Sequence, residues 1–319
     1  MSDACIHCGL CKEHCDFLKK YDLTIGDRDK LDALKYHCFL CGGCKTVCPV
    51  DIDGAEVVLA LRTEGIRQNG GRPENLSDYP ALLKKRNLLY RNNRHAKGES
   101  LVFFGCNFPA FYPKTTKYLV ELFKEKGIPY SFDCCGKPLH DLGLMEDADF
   151  VIKRLENLIR KKGIREVIMV CPNCYYFLRD KVSVPVTTIY EKLGQMGIGL
   201  FGLSSGQFFL PCPDREEKKI LQDIEGLSNT SLKELPFSMC CGLGGSAYSK
   251  ERDLATGFAK QIKNLKGEDP LYVYCASCGG NLSRQGIRDV RHVLSELLGV
   301  CEAADFSHQT GNRMKMKWS

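Results

Sequence analysis

Two cysteine runs near the start of the chain, Cys5-x2-Cys8-x2-Cys11-x3-Cys15 and Cys38-x2-Cys41-x2-Cys44-x3-Cys48-Pro49, share one spacing to the residue. In this iron-sulfur pattern three cysteines at i, i+3 and i+6 wrap one cubane and the fourth crosses to its neighbour. It assigns Cys5, Cys8, Cys11 and Cys48 to one 4Fe-4S centre and Cys15, Cys38, Cys41 and Cys44 to another. Asp16 stands where proline usually follows such a run, which bears on the local turn and not on the ligands. Paired zinc sites compete poorly, because a four-coordinate ion has no use for interleaved spacing. Between the runs, Asp16 to His37 is charged, glycine-poor and apolar at Leu23, Leu31, Leu34 and Tyr36, which reads as helix with a turn near Gly26. A helical two-cluster module is therefore expected over residues 1–65, with another short helix from Gly54 to Arg62.

The chain carries 19 cysteines in 319 residues. A chain of this length buries its own core without disulfide staples, and its first residues lack the basic and apolar regions of an export signal. No apolar run is long enough to span a bilayer. The expectation is a cytoplasmic, reducing setting in which thiols serve as ligands or nucleophiles. The formal charge of +6 is too modest to argue for nucleic acid. Each four-thiolate cubane, carrying about −2, would lower it further.

Residues 66–100 change character. Asn69-Gly70-Gly71-Arg72-Pro73 reads as a turn, and Lys84, Lys85, Arg86, Arg91, Arg94 and Lys97 form a basic tract. The tract reads as a solvated linker, with docking of an acidic electron-transfer partner as the alternative.

From residue 101 the chain repeats itself. Leu101 to Cys106 matches Gln207 to Cys212, Cys134-Cys135-Gly136 matches Cys240-Cys241-Gly242, and Cys171-Pro-Asn-Cys174 matches Cys275-Ala-Ser-Cys278. Short apolar runs (Glu166 to Cys171, Leu271 to Cys275) alternate with helix-length stretches (Ala148 to Lys162, Lys250 to Leu265), which is α/β patterning. In such folds the carboxyl ends of parallel strands carry ligands, so the cysteines are expected on one rim.

Each copy contributes five cysteines: Cys106, Cys134, Cys135, Cys171 and Cys174, then Cys212, Cys240, Cys241, Cys275 and Cys278. Zinc or a single cubane needs four, and adjacent cysteines suit one tetrahedral metal badly, whereas an irregular iron-sulfur cluster can use an extra bridging thiolate. The glycine after each cysteine pair is expected to let backbone approach the metal. Gly244, Gly245 and Ser246 loosely suggest a phosphate loop, but no lysine pattern follows. His140, near the first pair, reads as a surface residue or a donor to a cluster sulfur; His292 and Cys301 read as structural, Cys301 as a small buried residue.

These paired Cys-Cys-Gly motifs, with an upstream cysteine and a downstream Cys-x-x-Cys, resemble the cysteine-rich domains of heterodisulfide reductase catalytic subunits, and the eight-cysteine module resembles their ferredoxin-like partner fused to the same chain. The resemblance covers residues 5–48 and 101 to about 299. It implies that each five-cysteine set holds a noncubane 4Fe-4S cluster, that the two face a shared cleft, and that a bound disulfide is cleaved there with one sulfur captured by each cluster. All ten cysteines would then be catalytic. Relatives also include electron-transfer subunits of flavin dehydrogenases for glycerol 3-phosphate, glycolate or lactate, and some bind zinc at one such motif.

The expected fold is thus a small helical dicluster domain (1–65), a basic linker (66–100), two pseudo-repeated Rossmann-like α/β units (101–200 and 201–305) and a tail (306–319) read as a frayed terminus. The expected cofactors are two cubane and two noncubane clusters. The expected partners are a small thiol or disulfide and an electron-donor protein, a flavoprotein or ferredoxin, or a membrane electron-transfer subunit. The competing activity is an electron relay to quinone, and a third reading is a zinc-stabilised scaffold.

Overall fold

The computed structural model describes residues 4–73, 91–198, 200–228, 233–236 and 240–318. Lys84, Lys85 and Arg86 of the basic tract lie outside them.

The first cysteine module is helical. Helices Leu10–His14, Asp16–Lys20 and Arg28–Ala33 bury Phe17, Leu18 and Leu31 in a small core with Leu23, Ile25, Ile52, Val57 and Leu61. The helix Gly54–Gln68 starts where the Asp53 carboxylate accepts from Ala55 N (2.8 Å) and Glu56 N (3.4 Å), an N-cap. It runs past residue 65, so the linker begins as helix. Its far end places Ile66 among Leu139, Leu142, Leu144 and Val151, against the unit that follows.

That unit is a four-stranded parallel sheet with β1 (Ser100–Phe103), β2 (Tyr130–Ser131), β3 (Glu166–Met169) and β4 (Val186–Thr188) in the order β2-β1-β3-β4. The second sheet repeats the order as β6-β5-β7-β8, from β5 (Gln207–Phe209), β6 (Lys233–Glu234), β7 (Leu271–Val273) and β8 (Val290–His292). Its strands are also all parallel. Leu101, Val102 and Phe103 are buried on both faces, as a parallel strand under helices requires. The order reverses direction between β1 and β3, and again between β5 and β7. Cys106, Cys171, Cys212 and Cys275 follow those four strands, so each pair stands at a switch point where open α/β sheets bind ligands.

Helix Met145–Lys162 buries Ala148, Val151, Leu155 and Ile159, and helix Arg252–Lys266 buries Ala255, Phe258, Ala259 and Ile262, the 3–4 spacing of a one-sided stripe. One apolar core runs through both units, joining Phe103, Phe111 and Leu193 with Phe208, Tyr272 and Leu297.

Three expectations are corrected. The tail is not frayed: helix Gln309–Met316 is tied down by Asn312 Nδ2 to Ala110 O (3.0 Å) and Arg313 Nε to Cys106 O (2.9 Å). Residues 91–97 are not a free connector. Asn92 bridges Phe132, Ala96 is buried, and Arg94 donates to Lys317 O at 2.6 Å. Cys301 is exposed, in a left-handed turn (φ 50°) after the last helix of the second unit. No helix among the described residues is long and apolar enough to cross a membrane.

Candidate iron-sulfur sites

Cys5, Cys8, Cys11 and Cys48 line one cavity of ≈ 280 Å³, counting the open solvent at its mouth, with Ile25, Pro49 and Val50 as apolar wall. Backbone amides already point at two of the sulfurs: His7 N lies 3.4 Å from Cys5 Sγ and Ile52 N 3.3 Å from Cys48 Sγ. Such donors stabilise sulfur that carries negative charge.

Cys15, Cys38, Cys41 and Cys44 form the second group, as the interleaved spacing expects. Desolvation first, then the fields of Cys41 and Cys38, push the Cys15 thiol up to about 12. Desolvation pushes Cys38 up to about 11, and holds Cys44 far above the usual thiol range with Cys38, Cys41 and Cys15 adding to it. Thiols raised by crowding are poor isolated nucleophiles. They are suited to ionise onto a cation that neutralises all four.

Cys41 behaves oppositely. The Cys240 thiol, from the second sheet unit, hydrogen-bonds to its sulfur and holds Cys41 below the usual range, assisted by the Arg215 guanidinium. Arg215 Nη1 also donates to Cys41 O at 2.8 Å. The two groups of thiols therefore touch across a module boundary.

In the first five-cysteine set, Cys135 contacts Cys134 and Cys174, and Cys174 contacts Cys171. Cys106 and Cys134 line a cavity of ≈ 340 Å³, its open mouth included, with Arg91, Phe132, Asp133, Arg313 and Met316. In the second set Cys240 contacts Cys212 and Cys241, Cys241 contacts Cys278, and Cys278 contacts Cys275. All ten residues are thus brought into two groups. Among the described residues no three His, Cys, Asp or Glu side chains form a site for a lone metal ion.

Gly136 (φ 95°) and Gly242 (φ 81°) also serve the packing of their units, and Gly242 N lies 3.3 Å from Cys240 Sγ. Each is left-handed and lies under the following long helix, where a Cβ would stand 3.2 Å from Ala148 O or 2.9 Å from Ala255 Cβ. They let the cysteine pair turn beneath that helix. The glycine loop after the second pair packs on the first module, since a Cβ at Gly245 would stand 2.5 Å from Cys38 O. No phosphate site is needed to account for it.

The two sets meet at a seam. Asn173 Nδ2 lies 3.5 Å from Cys275 Sγ, and Asn107 Nδ2 donates to Ser277 Oγ at 2.7 Å. Buried Asp214, two residues after Cys212, accepts from Tyr176 of the first unit, Tyr274 (2.7 Å), Ile220 N (3.1 Å) and Leu221 N (3.0 Å). Lys137, 2.7 Å from Asp141, is within electrostatic reach of Cys135 and Cys212. His140 packs edge-on to Phe177 and stands 3.6 Å from Asp141. His292 is buried, and its Nδ1 accepts from Leu294 N at 3.3 Å. Arg62, Arg215, Asn173 and Asp214 carry no spacing signal; only the folded chain brings them to the cysteines.

Fold and thiol groups together define an iron-sulfur protein. Residues 1–52 match the 4Fe-4S dicluster domain, and residues 100–179 and 207–283 each match the cysteine-rich domain. The chain is accordingly a dicluster domain followed by two cysteine-rich domains, homologous to a component of heterodisulfide reductase and to related iron-sulfur proteins. It is 23% identical to one component of the dihydromethanophenazine:CoB–CoM heterodisulfide reductase of Methanosarcina mazei, over 82% of this chain and 78% of that one. It is 24% identical to one component of the fumarate reductase (CoM/CoB) of Methanothermobacter marburgensis, over 85% of this chain and 62% of that one. It is also 24% identical to lactate utilization protein A 1 of Bacillus anthracis, over 56% of this chain and 86% of that one. The chain spans less than two thirds of the length of the fumarate reductase component.

Proposed function

We propose that the chain is an oxidoreductase component that passes electrons through two cubanes to two noncubane clusters, where a disulfide is cleaved or formed. The supporting observation is the contact between Cys41 and Cys240, which sets a four-thiol group directly against a five-cysteine set. Cys5, Cys8, Cys11 and Cys48 would hold one cubane and Cys15, Cys38, Cys41 and Cys44 the other. Cys106, Cys134, Cys135, Cys171 and Cys174 would hold one noncubane cluster, and Cys212, Cys240, Cys241, Cys275 and Cys278 its counterpart. The clefts, the backbone amides aimed at sulfur and the crowded thiols fit such groups.

Bound there, the clusters supply one-electron redox chemistry and iron sites for sulfur. The balance is RSSR′ + 2e⁻ + 2H⁺ → RSH + R′SH. The chain's own residues hold the two sets against one seam through Asn173, Asn107 and Asp214, so two one-electron donors flank one two-electron bond. The division into 1–65, 66–100, 101–200, 201–305 and 306–319, with the sheet units as Rossmann-like pseudo-repeats, belongs to this reading. So do a flavoprotein or ferredoxin donor and a cytoplasmic site of action, with membrane contact through a partner.

Anaerobic iron and acid-labile sulfide assays test it. About sixteen irons per chain support four clusters. About eight, or stoichiometric zinc in the repeats, would leave only the dicluster module. A second reading is an electron-transfer component of a flavin dehydrogenase of the glycerol 3-phosphate, glycolate or lactate type that reduces quinone; the likeness to a protein named for lactate utilization bears on the lactate member alone. Reduced protein oxidised by quinones but by no disulfide would favour it.

A further inference from the structure

The seam between the two sheet units is not symmetric. Asn173 and Ser277 hold equivalent places, each two residues after the first cysteine of its Cys-x-x-Cys motif. The Asn173 side chain reaches across to Cys275 Sγ at 3.5 Å, whereas the Ser277 hydroxyl accepts from Asn107 Nδ2 at 2.7 Å. A second group from the first unit leans the same way. Tyr112 is fully buried, and its hydroxyl has no hydrogen-bond partner among the described residues. That hydroxyl sits in a notch in the helix Ala276–Arg284, beside Cys278: a Cβ on Gly279 would stand 2.2 Å from it. A buried hydroxyl left without an acceptor destabilises the fold. The neighbouring chemistry that would accept it is sulfur, and the charges of Cys275 and Cys278 both act on the Tyr112 phenol.

We propose that Asn173 and Tyr112, both carried by the first unit, are positioning residues for the centre at the second unit's cysteines. Their N–H and O–H donate to its sulfurs and hold its reduction potential above that of an otherwise equal centre without them. The inference rests on the four-cluster reading above. Hydrogen bonds to sulfur stabilise the more negative, reduced state, and so raise the potential. The two sequence repeats are then electrically unequal. The site that touches the dicluster module through Cys41 is also the one whose electron is held more tightly.

The test is an anaerobic redox titration of the reconstituted chain with dithionite, followed by electron paramagnetic resonance, on the wild type and on Asn173→Leu, Tyr112→Phe and Ser277→Ala. Tyr112→Phe keeps the shape of the site and stands in if Asn173→Leu fails to fold. Each of the first two variants is expected to keep its full iron and to move one transition to lower potential. A tenfold weaker reduction equilibrium corresponds to ~59 mV for one electron. Ser277→Ala breaks a seam bond that touches no sulfur, and is expected to leave every transition in place. Full iron with unmoved transitions in both Asn173→Leu and Tyr112→Phe overturns the inference alone. A wild type with only about eight irons per chain overturns the four-cluster reading and the inference with it.

Discussion

The Arg62 guanidinium donates to the carbonyl of Cys38 at 2.8 Å, and its remaining N–H groups reach Lys35 O (2.7 and 2.9 Å), Asp141 O (2.6 Å) and Gly245 O (2.9 Å). Those carbonyls belong to the dicluster domain and to both cysteine-rich domains, so one side chain with no exposed surface pins all three. Desolvation lowers its pKa, and the fields of Cys38, Asp141 and Tyr36 oppose that.

Arg62→Met leaves these buried carbonyls without donors while keeping much of the volume. The expected loss is at least about 3 kcal/mol, at the upper end for charged hydrogen bonds. It is read as a lower urea midpoint and as earlier proteolytic release of the first domain.

Cys240→Ser and Cys135→Ser are expected to differ in what they disturb. Cys240 touches Cys41, so its loss should change the resonance signal of the centre at Cys15, Cys38, Cys41 and Cys44 as well as that of its own set. Cys135 contacts sulfurs of its own set, Cys134 and Cys174, so its loss should leave the dicluster signals unchanged.

The spacing made the grouping of the eight dicluster cysteines legible because three of each four lie within one short run of the chain. It also separated them into two groups that the fold keeps apart, one around a cavity and one around Cys44. The repeat made the paired sheets legible, since Leu101 to Phe104 and Leu271 to Tyr274 are apolar without alternation. The seam was hidden: Asn173, Tyr112 and Arg215 act over long sequence separations, and no periodicity marks such contacts. The tail was misjudged for a similar reason. Its basic residues look solvent-seeking, yet Arg313 is held by a carbonyl and an amide of the Cys106 loop.

His292 gives a pH dependence with a definite sign. Burial pulls its pKa down to about 3, while the unfolded imidazole keeps its ordinary 6.5. Protons therefore bind the unfolded chain first. Stability is unaffected above pH 6.5 and falls from there toward pH 3, by up to about 1.4 kcal/mol per unit from this one residue. Protonating Nδ1 would also remove the acceptor for Leu294 N. His292→Asn keeps an acceptor without a titrating group, so its unfolding free energy should depend less on pH across that window than the wild type's.

Gly279→Ala places a methyl 2.2 Å from the Tyr112 hydroxyl. An overpacked seam of this kind costs about 1–3 kcal/mol. The loss should be largely relieved in the double variant with Tyr112→Phe, which a thermal melt of the four proteins reads as a non-additive pair.

Because the Gln309–Met316 helix holds the Cys106 loop, the last turn of the chain is part of the floor of the first cysteine-rich site. A purification handle fused just beyond Trp318 would tug on that floor.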